Sequence, residues 1–236
     1  MTLLVTRPGD DGIKLANLLR DRGFDVIRDA MLTIEMDSTV EPNLAGVQAV
    51  LATSANGIRA LSARSENRNL PMLAVGDATA ALAREMGFIN VRSASGDVES
   101  LAALAMAQFD KQNGALYHPA GSKVAGNLSE ILLQNGFDYR RDILYRAEKH
   151  TSLNSATVQQ LQSGLIAGAL FYSPRTMKTF CELLINEKLS TTVQTVTAYC
   201  LSPAVASKSG DIKWGAIKTC SHPDQKSMLE LIEATG

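Results

Sequence analysis

Apolar residues in this chain cluster in short runs that end abruptly in turns rich in Ser, Thr, Asn, Gly and Pro. Leu3-Leu4-Val5, Val50-Leu51-Ala52, Leu73-Ala74-Val75, Ala115-Leu116-Tyr117 and Ala169-Leu170-Phe171 are continuous rather than alternating, as strands covered on both faces are. Between them the apolar positions take a helical spacing, as in Ile13-Leu15-Leu18-Leu19 and Ala80-Leu82-Ala83-Met86. A strand returns roughly every 25 residues, and a helix fits in each gap. The pattern predicts an α/β fold, parallel sheets flanked by helices on both faces. Gly23, Gly87 and Gly136 stand where these helices must stop, and predict left-handed caps.

The pattern also repeats. Leu3 to Pro8, the helical run to Leu19, Gly23-Phe24-Asp25 and Val26-Ile27 are echoed by Ala115 to Pro119, Leu132-Leu133, Gly136-Phe137-Asp138 and Ile143-Leu144. Val50 to Asn56 is echoed by Ala169 to Arg175, and Leu73 to Ala80 by Val196 to Ala204. The second copy follows the first by 112 residues (Leu4 to Leu116), 119 (Ala52 to Phe171) and 124 (Ala74 to Ala198). Offsets that grow slowly while the blocks keep their order indicate a duplication and two similar lobes. Only Leu32 to Glu41 and Arg146 to Asn154 read as connectors, so they are taken as crossings. The N-terminal β-α-β piece then joins the C-terminal half, giving a discontinuous lobe of residues 1–35 plus 150–236 and an inserted lobe of residues 38–147.

Composition narrows the partners. With 236 residues, 45% of them apolar, the chain can bury two compact cores. A formal charge of −1 offers no global field for nucleic acid or a membrane surface, so an anionic partner must be held by local groups. No apolar run approaches a spanning helix, and Met1 to Val5 is too short for a signal peptide before Arg7-Pro8; a cytoplasmic location is expected. The three cysteines, Cys181, Cys200 and Cys220, suit reduced, partly buried thiols better than a disulfide framework.

In an open parallel sheet, ligands collect beyond the carboxyl ends of the strands, where loops run into helix N-termini. Thr6-Arg7-Pro8, Thr53-Ser54-Ala55-Asn56, Gly76-Asp77-Ala78-Thr79, Ser173-Pro174-Arg175-Thr176, Ser202-Pro203 and Ser221-His222-Pro223 all occupy that place. Unpaired N–H groups, the helix dipole and hydroxyl donors there suit carboxylate or phosphate. Helix capping and proline at the first helical position account for each turn taken singly. The matching Thr53-Ser54 and Tyr172-Ser173 carry more polar groups than one cap requires, which points to a ligand. Arg7 and Arg175 are suited to bidentate carboxylate contacts.

Other chemistries lack their signatures. There is no G-x-G-x-x-G, phosphate-binding loop, His-Glu-x-x-His, C-x-x-C or G-x-S-x-G, and His118, His150 and His222 share no metal-ligand spacing. These histidines read as turn or surface residues, and neither metal nor organic cofactor is implied. Tyr145 is expected at the end of a strand, just before the second crossing, where it either packs structurally or turns its hydroxyl to a ligand.

Leu4-Val5-Thr6-Arg7-Pro8, Thr53-Ser54-Ala55-Asn56, Ala74-Val75-Gly76 with Thr79-Ala80, Leu144-Tyr145-Arg146 and Tyr172-Ser173-Pro174-Arg175, in this order and spacing, resemble the uroporphyrinogen-III synthase family along essentially the whole chain. The resemblance implies two α/β lobes joined by a two-stranded connection. It implies a cofactor-free cyclisation of hydroxymethylbilane with loss of water and inversion of the last pyrrole ring. Tyr145 becomes the candidate catalytic residue, assisting departure of the hydroxyl. Thr6, Arg7, Thr53, Ser54, Asn56, Gly76, Ser173, Pro174, Arg175 and Ser202 become candidate substrate-binding residues. The family's Ile-Gly-Pro-Thr-Thr-Ala turn is replaced by Tyr199-Cys200-Leu201-Ser202-Pro203-Ala204, and its Arg-Gly turn by Tyr117-His118-Pro119-Ala120-Gly121, so a basic contact there is either missing or supplied by His118 or Lys123. Expected partners are the small-molecule substrate and at most a transient contact with the preceding pathway enzyme; the chain is expected to be a monomer. A non-catalytic two-lobed binding protein for a small polyanion fits the same turns, and a nucleotide-sugar transferase fits the lobes but lacks an acidic or Gly-rich nucleotide site.

Overall fold

A computed structural model of the chain describes residues 1–124 and 126–234; the last two residues of the expected C-terminal segment lie outside the described residues. The chain divides into two compact units, one of Met1–Thr33 with Glu148–Gly236 and one of Ile34–Ala147.

The first unit opens with β1 (Thr2–Val5), α1 (Gly9–Arg20) and β2 (Asp25–Arg28). The chain leaves it within β3 (Leu32–Met36). The second unit then runs β4 (Val47–Ala52), α2 (Ala55–Ser62), β5 (Met72–Ala74), α3 (Asp77–Glu85), β6 (Val91–Ser93), α4 (Val98–Gln108), β7 (Ala115–Gly121), α5 (Leu128–Gln134) and β8 (Tyr139–Lys149). Back in the first unit come α6 (Ser155–Gln162), β9 (Ile166–Phe171), α7 (Pro174–Asn186), β10 (Thr197–Cys200), α8 (Pro203–Ala206), β11 (Ala216–Thr219) and α9 (Gln225–Glu233).

The first unit's sheet has the order β11-β10-β9-β1-β2, with every neighbouring pair parallel. The second unit's order is β3-β8-β7-β4-β5-β6, parallel from β8 to β6. Written side by side, β2-β1-β9-β10-β11 and β8-β7-β4-β5-β6 coincide strand for strand. The repeat in the sequence is thus one sheet topology used twice, with the chain entering it at different strands. In both sheets the strand order reverses at the central pair, β1/β9 in the first unit and β4/β7 in the second, the place where such folds bind ligands.

Burial follows the strand period of two. In the first unit Leu3, Val5, Leu170 and Tyr199 pack with Leu15 and Leu19 of α1 and Met228 and Ile232 of α9. The opposite face sets Leu4, Ala169, Phe171 and Ala198 against Met177, Phe180 and Leu184 of α7. In the second unit Ala49, Leu51, Leu73 and Leu116 meet Leu101 and Ala105 of α4 and Leu132 of α5. Val50, Ala52, Met72 and Tyr117 meet Ile58 and Leu61 of α2 and Ala83 of α3. Each fully buried aliphatic side chain of this kind stabilises the fold by roughly 1.5–3 kcal/mol. The helix stops at Gly23, Gly87 and Gly136 do take left-handed backbone, with φ of 83°, 90° and 80°.

The chain passes between the units at Thr33/Ile34 and Ala147/Glu148, inside the two stretches read as crossings, and both are strand, β3 and β8, neighbours in one sheet, as a two-stranded connection implies. One expectation is corrected. Tyr145 is not at a strand end but well inside the eleven-residue β8.

Candidate functional site

At the central reversal of the second unit, β4 ends at Ala52 and α2 begins at Ala55, so Thr53 and Ser54 form the whole turn. Ser54 is extended (φ −156°, ψ 153°) and its Oγ accepts from the Gly57 N–H at 3.1 Å, the ordinary work of a helix cap. The same Oγ lies 2.8 Å from Oη of Tyr145. Two features carry Tyr145 to that position. Its strand pairs with β7 in a register that sets Tyr145 beside Gly121, and a Cβ on Gly121 would stand 2.7 Å from the Tyr145 Cζ. On the other side, α2 rides so close to β7 that a Cβ on Gly57 would lie 2.2 Å from the Pro119 carbonyl oxygen. Glycine at 57 brings the capping serine in, and glycine at 121 leaves room for the phenol.

Thr53 is engaged separately. Its Oγ1 lies 2.8 Å from Nε2 of His118, whose Nδ1 lies 2.6 Å from Oη of Tyr139. His118 is 1% exposed, and burial, helped by the Arg141 charge, pushes its pKa down to about 4. It is neutral at physiological pH, so of the alternatives for the basic contact His118 is not the one that supplies it. It is a core residue of β7, not a turn or surface residue. Lys123, the other candidate for that contact, is exposed in the turn after β7. Burial likewise pushes Tyr139 up to about 12. Asn56, in the first turn of α2, accepts from Arg59 at 3.1 Å, and Gly76 heads α3 where a Cβ would meet nothing within 4 Å.

In the first unit the two central turns are Thr6-Arg7-Pro8 and Tyr172-Ser173. Thr6 departs from expectation: it is fully buried and its hydroxyl donates to the Leu170 carbonyl at 2.6 Å, tying β1 to β9 and leaving it no surface for a ligand. Arg7 stays half-buried, its guanidinium 4.7 Å from the Tyr172 ring centre and 3.1 Å from Asp11. Ser173 caps α7 by accepting from the Thr176 N–H at 3.1 Å, and its Oγ lies 2.7 Å from the Thr176 hydroxyl. Pro174 is the first residue of α7 and Arg175, half-buried, the second. Ser202 precedes the four-residue α8 and makes no side-chain capping bond. The three cysteines are free and buried, and burial raises Cys181 and Cys200 to about 12, so these thiols stay protonated.

Thr53, Ser54 and Tyr145 are therefore brought together, while Asn56 and Gly76 line adjacent helix starts and the remaining candidates belong to the other unit. Sequence reading missed Tyr139 and the inward placement of His118. The signal for the second was present, since His118 sits inside the apolar run Ala115 to Pro119. A hollow of about 670 Å³ in the first unit, lined by Lys178, Cys181, Ile185, Gln194, Lys208 and Ile212 among others, includes none of these turn residues. Among the described residues no helix is long and apolar enough to cross a membrane.

Comparison with known proteins gives one consistent result. The family model described as Uroporphyrinogen-III synthase HemD matches residues 13–230. No curated protein matches the chain. Among solved structures, the uroporphyrinogen-III synthetase of Helicobacter pylori 26695 is similar with a TM-score of 0.64 at 15% identity, covering 100% of this chain and 99% of that one. A mutant uroporphyrinogen III synthase from the extremely thermophilic bacterium Thermus thermophilus has a TM-score of 0.57 at 16% identity, covering 99% and 98%. These two share the fold; the family match spans nearly the whole chain, which belongs to the uroporphyrinogen-III synthase family.

Proposed function

We propose that Tyr145, held by Ser54, assists departure of the substrate's hydroxyl in the reaction of this family. That reaction cyclises hydroxymethylbilane with loss of water and inversion of the last pyrrole ring, giving uroporphyrinogen III. The observation that carries the assignment is the 2.8 Å contact between Tyr145 Oη and Ser54 Oγ beyond the carboxyl end of β4. Hydroxymethylbilane brings its own leaving group and electron-rich pyrroles, so the protein's task is to position it and to help one hydroxyl leave. Ser54 already accepts the Gly57 N–H, and its own proton is free to be donated to Tyr145, which leaves the phenolic hydrogen for the leaving oxygen. A positioned general acid contributes roughly 10²- to 10⁴-fold.

Unassisted closure gives the uninverted isomer, so selectivity rests on holding a flexible chain of pyrroles by its carboxylates. Thr53, Asn56 and Gly76 in the second unit are assigned to that task, as are Arg7, Ser173, Arg175 and Ser202 in the first, while Pro174, which has no N–H to donate, is assigned an apolar contact with the substrate at the start of α7. Thr6, whose hydroxyl is held by the Leu170 carbonyl, is not assigned to that task. The load is distributed, and no single turn is expected to be indispensable. The protein is proposed to work as a monomer in the cytoplasm, on this one small-molecule substrate, with at most a transient contact with the enzyme that supplies it. No observation favours the non-catalytic anion-binding alternative.

The test supplies freshly generated hydroxymethylbilane to the purified protein without added cofactor, oxidises the products and separates the uroporphyrin isomers. Predominant type III isomer is expected. Only type I isomer from correctly folded protein would overturn the assignment.

A further inference from the structure

His118 stands where the family's Arg-Gly turn would put a charged group, yet it is a buried, uncharged polar group beside the Thr53-Ser54 turn. Its two ring nitrogens face two hydroxyls, Tyr139 Oη at 2.6 Å from Nδ1 and Thr53 Oγ1 at 2.8 Å from Nε2. A neutral imidazole donates from one nitrogen and accepts at the other, so the three groups must be polarised in one direction. The chemistry of the partners selects it. A phenol is a stronger donor than an imidazole N–H and a weaker acceptor than an aliphatic hydroxyl. Tyr139 therefore gives its hydrogen to Nδ1, and Nε2–H donates to Thr53.

We infer that His118 is a positioning residue: fixed by Tyr139 as the Nε2–H tautomer, it occupies an acceptor site of the Thr53 hydroxyl and so directs that hydroxyl's own hydrogen outward, toward a substrate carboxylate. The inference rests on the reading that Thr53 binds substrate. Burial and the nearby Arg141 guanidinium, which donates to the Gly121 carbonyl at 2.7 Å, keep the imidazole uncharged, as the relay requires. In the other unit the strand register puts Val5, an apolar core residue, at the equivalent position, so the imidazole has no polar counterpart there.

Two measurements test it. In the unliganded wild-type protein, nitrogen-15 spectra of the imidazoles, with His118 assigned by its loss in His118→Gln, are expected to show the neutral Nε2–H tautomer. An Nδ1–H signal overturns the relay. In steady-state kinetics with hydroxymethylbilane, Thr53→Val and His118→Asn are each expected to raise KM roughly tenfold with a smaller change in kcat, the mark of a lost ground-state contact to a charged group. His118→Gln, whose amide reaches the Nε2 position, restores KM toward wild type. The Thr53→Val/His118→Asn double variant is no worse than Thr53→Val alone. Multiplicative losses, or equal losses in the Asn and Gln variants, overturn the inference. Wild-type protein that gave only type I isomer would instead sink the functional reading, and the tautomer, read without substrate, keeps the two failures apart.

Discussion

Tyr145 is the residue on which most depends, and its surroundings separate its chemical role from its structural one. The ring packs on the edge of the Val50, Ile58 and Tyr117 cluster, while only its hydroxyl meets Ser54. Tyr145→Phe keeps the packing and removes one hydrogen bond, a stability cost of about 1 kcal/mol. Turnover is expected to fall at least tenfold with the thermal midpoint nearly unchanged; an undiminished rate would remove Tyr145 from the acid role. Gly121→Ala tests the placement rather than the group. The new methyl would meet the far end of the Tyr145 ring, at 2.7–2.9 Å, and not backbone. The ring can swing aside, so the variant is expected to fold with modest loss of stability and yet lose activity as Tyr145→Phe does. Wild-type activity in Gly121→Ala would show that the 2.8 Å pair with Ser54 is dispensable. Ser173→Ala, by contrast, is expected to cost only a few-fold in KM, together with the roughly 1 kcal/mol of a lost cap.

At the scale of the element, helix starts do two kinds of work with one chemistry. Ser54, Asp97, Asn154, Ser173 and Asp224 each accept the backbone N–H three residues on. Where the cap is a carboxylate, stability acquires a pH dependence of definite sign. Hydrogen bonds from the Ser100 backbone and hydroxyl hold Asp97 below the ordinary 3.8, and the Ser227 N–H does the same for Asp224. A group depressed in the folded state contributes stability above its unfolded pKa and loses it as pH falls through the folded value. Urea unfolding is therefore expected to show stability declining between about pH 5 and pH 3, and Asp97→Asn, which keeps the acceptor but not the charge, to decline less steeply. An identical slope in the variant would deny the cap its electrostatic part. Helix packing is the stricter constraint. Gly57→Ala drives a methyl into the Pro119 carbonyl, which is backbone and cannot turn away, so a loss of about 1–3 kcal/mol or more is expected by the same measurement.

For the molecule as a whole, the informative fact is that one sheet order occurs twice while only one copy is continuous in the chain. The unit Ile34–Ala147 carries a core on each face of its sheet and takes nothing from the rest of the chain to complete β8-β7-β4-β5-β6. Expressed alone, it is expected to fold and to unfold cooperatively; a broad, featureless transition would show that it needs its counterpart. Much of this was legible in the residues. Continuous apolar runs at strand length, helical spacing between them and glycine stops gave the α/β class, and the echo of Leu3 to Ile27 in Ala115 to Leu144 gave the duplication, because burial period and helix termination are local properties. The turns at Thr53-Ser54 and Ser173 were equally visible, since caps and strand ends are written in adjacent residues. What adjacency cannot encode is which turns meet across the sheet. The pairing of Tyr145 with Ser54 depends on the β7/β8 register and on a missing methyl at Gly121. The enclosure of His118 and the burial of Thr6 depend on which strand lies beside which. Local sequence determined the elements and the kinds of group at their ends; tertiary structure alone decided which of those groups touch, because hydrogen bonds between residues some 60 to 160 positions apart are set by sheet order and close packing.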